Sequence, residues 1–231
     1  NTYDVTIDVD IVDDVPNISA AISSGAVDAG SEVSGKVTIT WGADGKAETD
    51  HITVNGKGGT VDGKNLVFEL DNGTLTLKED GNYTFKANAN IDKTTQTLLF
   101  KVTDKDGDTS TAEVDVTINK PAAPTHETEI VVKEEGLEGG SVASGDAEKA
   151  TWTAPEGYTI EKIVTNGSHG TAAIEVDGKL TYTLTENLLE PGEGKNTVEK
   201  ADKVTVTLKD GKGNTYDVTI DVDIVDDVPN I

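Results

Sequence analysis

Apolar residues fall at every second position along most of this chain. Residues 36–41 read Lys-Val-Thr-Ile-Thr-Trp, and the same period of two runs through residues 66–70, 75–77, 83–85, 98–102 and 113–118. It resumes at 129–132, 150–152, 159–164, 180–184, 204–208 and 216–224. Successive side chains of an extended strand point to opposite faces, so this alternation predicts strands buried on one side and wet on the other. Between them stand Asp44-Gly45, Asp62-Gly63, Asp71-Asn72-Gly73, Asp80-Gly81, Asp106-Gly107, Asp177-Gly178 and Asp210-Gly211. Aspartate, asparagine and glycine tolerate the positive φ of tight turns. Many short strands punctuated in this way predict an all-β fold of antiparallel β-sandwiches. No apolar spacing of three and four persists long enough to predict a long helix.

The pattern divides in two. Residues 102–118 and 208–224 each read strand, acidic glycine turn, strand, and each is followed by a proline-bearing junction. The first junction is Asn119-Lys120-Pro121, and the second, Asp226-Asp227-Val228-Pro229, repeats Asp13-Asp14-Val15-Pro16. These breaks predict one immunoglobulin-like sandwich over 14–119 and a second over 120–231, which includes the start of a further linker. Residues 1–13 are then the last strand of a preceding repeat. Short linkers that carry proline are stiff, so the two domains are expected in tandem, end to end. Residues 1–18 return unchanged as 214–231, an offset of 213. A drifted duplicate would not be identical, so the chain reads as one period of a tandem array. Tyr3, Val5, Ile7, Val9 and Ile11 form the same apolar face as residues 216–224. The N-terminal copy therefore leaves an apolar stripe and an unpaired edge. A largely monomeric protein is expected, with that segment either mobile in solution or docked on a neighbouring molecule by strand exchange.

Charge narrows the partners. The chain carries 43 acidic residues against 19 basic ones, a net charge of −24, and every basic residue is lysine. Nucleic acid needs a basic footprint, and an anionic membrane surface would repel this chain. No apolar run approaches the ~18 residues of a membrane span. The absence of cysteine excludes disulfides, zinc–thiolate sites and iron–sulfur clusters. Nucleophile-elbow, P-loop and dinucleotide glycine patterns are missing, and aromatics make up only 4%. No enzyme and no small-molecule substrate are expected. His51, His126 and His169 lack ligand-spaced partners, and Trp41 and Trp152 read as core residues.

The densest group of oxygen ligands is Asp104-Lys105-Asp106-Gly107-Asp108. It is not an EF-hand, whose loop spans twelve residues with glycine sixth. Three carboxylates at alternate positions of a tight turn form either a solvated acidic tip or a site for a hard cation. Topology favours the cation. The hairpin joining the last two strands of such a sandwich points back toward the incoming linker, so Asp13 and Asp14 should converge on Asp104, Asp106 and Asp108. Five carboxylates together call for a counter-ion, and Ca²⁺ takes 6–8 oxygen ligands. Asp44, in the turn after Trp41, is expected at the same end. The corresponding turn of the second half, Asp210-Gly211-Lys212-Gly213-Asn214, keeps one carboxylate and gains a lysine, as does its facing linker at Lys120. Metal is expected at alternate junctions only.

Residues 75–85 (LTLKEDGNYTF), 100–116 (FKVTDKDGDTSTAEVDV), the Asp-Asp-x-Pro junction and Trp41-Gly42-Ala43-Asp44-Gly45 together resemble the extender repeats of giant RTX-type bacterial adhesins exported by type I secretion. The resemblance implies immunoglobulin-like domains in long rows, Ca²⁺ at the junctions, and neighbouring repeats of the same chain as partners. It also implies a secreted protein at the bacterial cell surface, serving as a stalk for adhesion and biofilm formation. The glycine- and aspartate-rich nonapeptide repeats of such proteins do not occur here. The rival reading is a cell-surface module that binds carbohydrate or protein. The identical recurrence of 18 residues favours the stalk.

Overall fold

Eleven strands form from residues 17–119. They are β1 (Asn17–Ile22), β2 (Ala26–Asp28), β3 (Glu32–Thr40), β4 (Ile52–Val54), β5 (Lys57–Gly58), β6 (Thr60–Asp62), β7 (Asn65–Leu70), β8 (Gly73–Lys78), β9 (Asn82–Ala87), β10 (Thr94–Thr103) and β11 (Thr109–Asn119). Seven more follow: β12 (Glu129–Lys133), β13 (Lys149–Trp152), β14 (Tyr158–Thr165), β15 (Gly170–Ile174), β16 (Leu180–Leu184), β17 (Val198–Asp210) and β18 (Thr215–Val225). The computed structural model describes residues 3, 6–8, 14–126, 128–137, 148–188 and 197–226. Among these there is no α-helix. A 3₁₀ turn at Glu134–Gly136 is the one helical element, and no helix is long and apolar enough to cross a membrane.

The chain divides into two compact units, residues 1–120 and 121–231. In the first, a sheet of order β1-β3-β9-β8-β7-β6 accompanies one of order β2-β11-β10-β4-β5. In the second, β12-β18-β17-β14 accompanies β13-β16-β15. Among the described residues, pairing is antiparallel except at one place in each unit: β2 runs parallel to β11, and β12 parallel to β18. The first unit's core holds Phe68, Leu75, Phe85, Leu98, Phe100, Val116 and Ile118. The second holds Leu180, Leu184, Val204, Val206, Leu208, Ile220, Val222 and Ile224. These are the alternating apolar positions, each strand turning every second side chain inward. All twelve strands expected from the alternation are present; most extend beyond their expected bounds, while β16 keeps them and β3 ends at Thr40, one residue before Trp41.

Two tyrosines anchor their strands through their hydroxyls. Tyr83 donates to the Ala21 carbonyl (2.9 Å), and burial pushes its pKa up to about 12. Tyr182 donates to Asp202 (2.6 Å), and burial and that carboxylate raise its pKa further.

Two of the turns differ from the sequence reading. Gly45, Gly63, Gly81, Gly107 and Gly178 have positive φ, but Gly73 and Gly211 do not. Gly73 opens β8, where a Cβ would run into the Lys86 carbonyl. At the second acidic hairpin the left-handed residue is Gly213, φ 92°.

Candidate metal centre

The turn between β10 and β11 is built on Asp104. Its N–H donates to the Asp108 carbonyl (3.0 Å). Its Oδ1 accepts from the N–H groups of Gly107 (3.1 Å) and Asp108 (2.7 Å). Gly107 has φ 109°, a conformation that a Cβ disfavours. The chain therefore reverses sharply, and carboxylate oxygens of Asp104, Asp106 and Asp108 come within 4.8 Å of one another. Asp104 is 1% exposed, yet its Oδ2 is buried without a hydrogen-bond partner. An ionised oxygen left in that state is costly. Burial and the adjacent Asp106 carboxyl push the Asp104 pKa up, while the N–H groups of Asp108 and Gly107 pull it the other way.

The loop after β3 reaches the same turn. The Gly45 carbonyl accepts from Lys105 N–H (3.1 Å), and Ala47 N–H donates to the Thr103 carbonyl (3.2 Å). Lys46 makes an isolated β-bridge to Asp104. At its other end this loop holds the incoming linker, because Ala43 N–H donates to Asp14 Oδ2 (2.7 Å). Gly42 is required there twice over. Its φ is 74°, and a Cβ would stand 2.6 Å from Asp14 Oδ2. Residues 42–47 thus connect Asp14 to the acidic turn. Asp44 lies exposed on this loop. Among the described residues, the tight group comprises Asp104, Asp106 and Asp108; Asp14 and Asp44 stand outside it, and Asp13 lies outside the described residues.

The second unit supplies an internal comparison. Asp210 repeats the backbone role of Asp104: its N–H donates to the Asn214 carbonyl (2.9 Å), and its Oδ1 accepts from the N–H groups of Lys212 (2.9 Å) and Asn214 (2.8 Å). The other oxygen differs. Asp210 Oδ2 accepts from Asn214 Nδ2 (3.0 Å) and the Tyr216 hydroxyl (3.3 Å). Burial alone would push the Asp210 pKa up, but these bonds outweigh it and hold the carboxyl below its usual range. Where the first turn has Asp106, Asp108 and Ser110, the second has Lys212, Asn214 and Tyr216. One turn is closed by the protein's own donors; the other leaves an oxygen open toward two more carboxylates. The part played by Tyr216 was missed in the sequence, although aligning the two hairpins places it opposite Ser110.

Two further features were not anticipated. Asp202, in β17, is buried and accepts from Ser168 N–H (2.7 Å), His169 N–H (2.8 Å), Tyr182 Oη (2.6 Å) and Lys203 N–H (2.9 Å). It clamps the loop before β15 to β16 and β17, a structural role. Each tryptophan packs edge-on against a histidine, Trp41 on His51 (5.8 Å between centroids) and Trp152 on His126 (5.9 Å). Trp152 is a core residue as expected, whereas Trp41 is only half-buried at the rim. The reason is position: Trp41 follows the last residue of β3, and Trp152 closes β13 within its sheet.

Two sandwiches, each with its last strand paired parallel to an early one, define an immunoglobulin-like architecture. The model of the bacterial Ig domain matches residues 13–117 and again 120–223, and the chain belongs to that family. No curated protein sequence matches it significantly. Among solved structures, similar chains include a 1.5-MDa bacterial ice-binding adhesin (16% identity, 92% of this chain and 65% of that one, TM-score 0.29). Another is the Ca²⁺-stabilised adhesin with which an Antarctic bacterium binds ice (16% identity, 92% and 48%, TM-score 0.29). A third is SGBP-B of the mixed-linkage glucan utilization locus of Bacteroides ovatus, in complex with a mixed-linkage heptasaccharide (16% identity, 91% and 48%, TM-score 0.29). Overlap this slight carries nothing about function, and the assignment rests on the family match.

Proposed function

We propose that this chain is a structural extender module of a repetitive bacterial surface adhesin of the RTX type, exported by type I secretion, and that Ca²⁺ stiffens its joints. The observation that carries the reading is the buried, unpartnered Oδ2 of Asp104 facing Asp106 and Asp108, set against the fully bonded Asp210. An all-carboxylate donor set suits a hard divalent cation. Asp104, Asp106 and Asp108 would hold it, with Asp13, Asp14 and Asp44 supplying further oxygens. The bound ion supplies positive charge that offsets the buried carboxylate and reverses the local electrostatic cost. Asp104 sets the turn, and Asp106 and Asp108 converge on it. Asp14, fixed to Ala43, brings the linker alongside. A linker tied to the rim of its own domain cannot hinge there. Such a module spaces a distal binding region from the cell, supporting adhesion and biofilm formation.

Isothermal titration tests the reading. Ca²⁺ uptake is expected in the wild type, with a loss of at least tenfold in affinity for Asp106→Ala and no change for the exposed Asp62→Ala. No uptake at millimolar Ca²⁺, or equal effects of the two substitutions, overturns it.

A further inference from the structure

The core of the first unit opens at the end of β3. β1 pairs with β3 from Gly35 to Thr40, whereas β9 pairs with it only from Glu32 to Lys36. The Val37 N–H then donates to the Gly81 carbonyl (2.9 Å). Beyond that bond, among the described residues, no strand flanks residues 38–40 on that side. A cleft of about 730 Å³ lies there, lined wholly by residues between 36 and 81. Small-molecule sites span roughly 300–1,000 Å³. Part of the lining belongs to the core: Val37, Ile52 and Leu77 are buried, while Ile39, Trp41 and Leu66 pack against the core and are only half-buried. His51 stands edge-on to Trp41. Burial and the Lys46 ammonium hold its imidazole below the ordinary pKa, against the pull of Asp50, so this wall is an uncharged ring at neutral pH.

The polar part of the lining is cationic. Lys36, Lys46, Lys64 and Lys78 are exposed around the cleft, and none of the four is in an ion pair among the described residues. Two carboxylates, Glu79 and Asp80, share the lining, but Asp80 already accepts from the N–H (3.0 Å) and Nδ2 (2.7 Å) of Asn82. Four ammonium groups against two carboxylates reverse, at this one place, the sign of a chain whose net charge is −24. Lysine stems lie along apolar surface while their heads stay in water, so apolar wall and cationic rim belong to one surface. We infer that the cleft binds an amphiphilic anion, a carboxylic acid with an aliphatic body. A neutral hydrocarbon would leave the lysines unused, and a small hydrophilic anion would leave Ile39, Trp41 and Leu66 wet. A ligand bearing both parts buries its chain against these residues and sets its carboxylate among the ammonium groups. The inference goes beyond the stalk reading and does not depend on metal at the acidic turn.

The chain's two tryptophans provide the readout. Trp41 lines the cleft, and Trp152 lies in the core of the second unit. Octanoate titrated into the full chain in EDTA should move the Trp41 indole N–H resonance saturably and leave that of Trp152 in place. Octanol, with the chain but no charge, and acetate, with the charge but no chain, should each bind at least tenfold more weakly. Lys46→Gln with Lys64→Gln should weaken octanoate at least fivefold, whereas Lys93→Gln with Lys101→Gln, an equal loss of charge outside the cleft, should change nothing. Octanoate binding no tighter than octanol or acetate overturns the inference, as do equal effects of the two lysine pairs or no movement of Trp41. Vesicles of phosphatidylglycerol separate a dissolved acid from a lipid surface. Repulsion by the net charge predicts that they leave the protein in solution; sedimentation with them, lost in the Lys46→Gln, Lys64→Gln variant, would overturn the dissolved acid in favour of an anionic membrane.

Discussion

At the scale of single residues, two tyrosine hydroxyls bear unequal loads. Tyr83 donates to a neutral carbonyl, and Tyr182 to the buried carboxylate of Asp202. A neutral hydrogen bond contributes about 1 kcal/mol and one to a charged group about 1.5–3 kcal/mol. Tyr182→Phe should thus cost roughly twice as much as Tyr83→Phe, read from urea unfolding of the two variants. Asp202 also sets an acid limit. Burial pushes its pKa up, but the Tyr182 hydroxyl and three backbone N–H groups hold it below the ordinary value. A carboxyl so lowered stabilises the fold above its unfolded pKa of about 4 and loses that contribution as pH falls through the folded value. Denaturation of the second unit followed from neutral to acid pH should therefore steepen below about pH 4, and Asp202→Asn should flatten that limb.

At the scale of elements, strands with clean alternation were legible in the sequence and others were not. β7 to β11 and β16 to β18 present apolar residues at every second place because one face of each meets the core. β5 and β6 are short and exposed throughout, and β15 is Gly-Thr-Ala-Ala-Ile, so no periodic signal marks them. The grouping of Asp104, Asp106 and Asp108 follows from their spacing around one turn. The hold of Ala43 on Asp14 does not, since it depends on a loop that approaches across 29 residues. The two acidic hairpins are closed by the same N–H to carbonyl bond and differ at four aligned positions; three of these, Asp106/Lys212, Asp108/Asn214 and Ser110/Tyr216, set the surroundings of the second carboxylate oxygen, so the difference should be transferable. Grafting Lys212→Asp, Asn214→Asp and Tyr216→Ser onto the second hairpin removes two donors from Asp210. That change should cost about 1–3 kcal/mol without metal and create Ca²⁺ uptake by the second unit. Thermal melts in EDTA and in Ca²⁺ check both halves of this prediction.

At the scale of the whole molecule, cation sensitivity should belong to one unit. Calorimetry is expected to show two transitions, of which Ca²⁺ raises one. An ion at about 100 times its Kd adds about 2.7 kcal/mol to the state that binds it, which for a domain of roughly 100 residues is a shift of about 10 °C or more. Chelation should return that transition and leave the other where it was. The parallel pairing of an early strand with the last one in each unit has a mechanical side. Tension drawn through the chain ends pulls the two paired strands in opposite directions along their own axes. Their hydrogen bonds then resist together, as a lap joint does, instead of opening one after another as in a peeled hairpin. The overlap is Ala26–Asp28 on Thr117–Asn119 in the first unit and Glu129–Lys133 on residues 221–225 in the second. By this measure alone the first unit has the shorter seam, three residues against five, and it is the unit whose rim carries the acidic turn. Under a steady pull, a cation at that turn would reinforce the weaker of the two links.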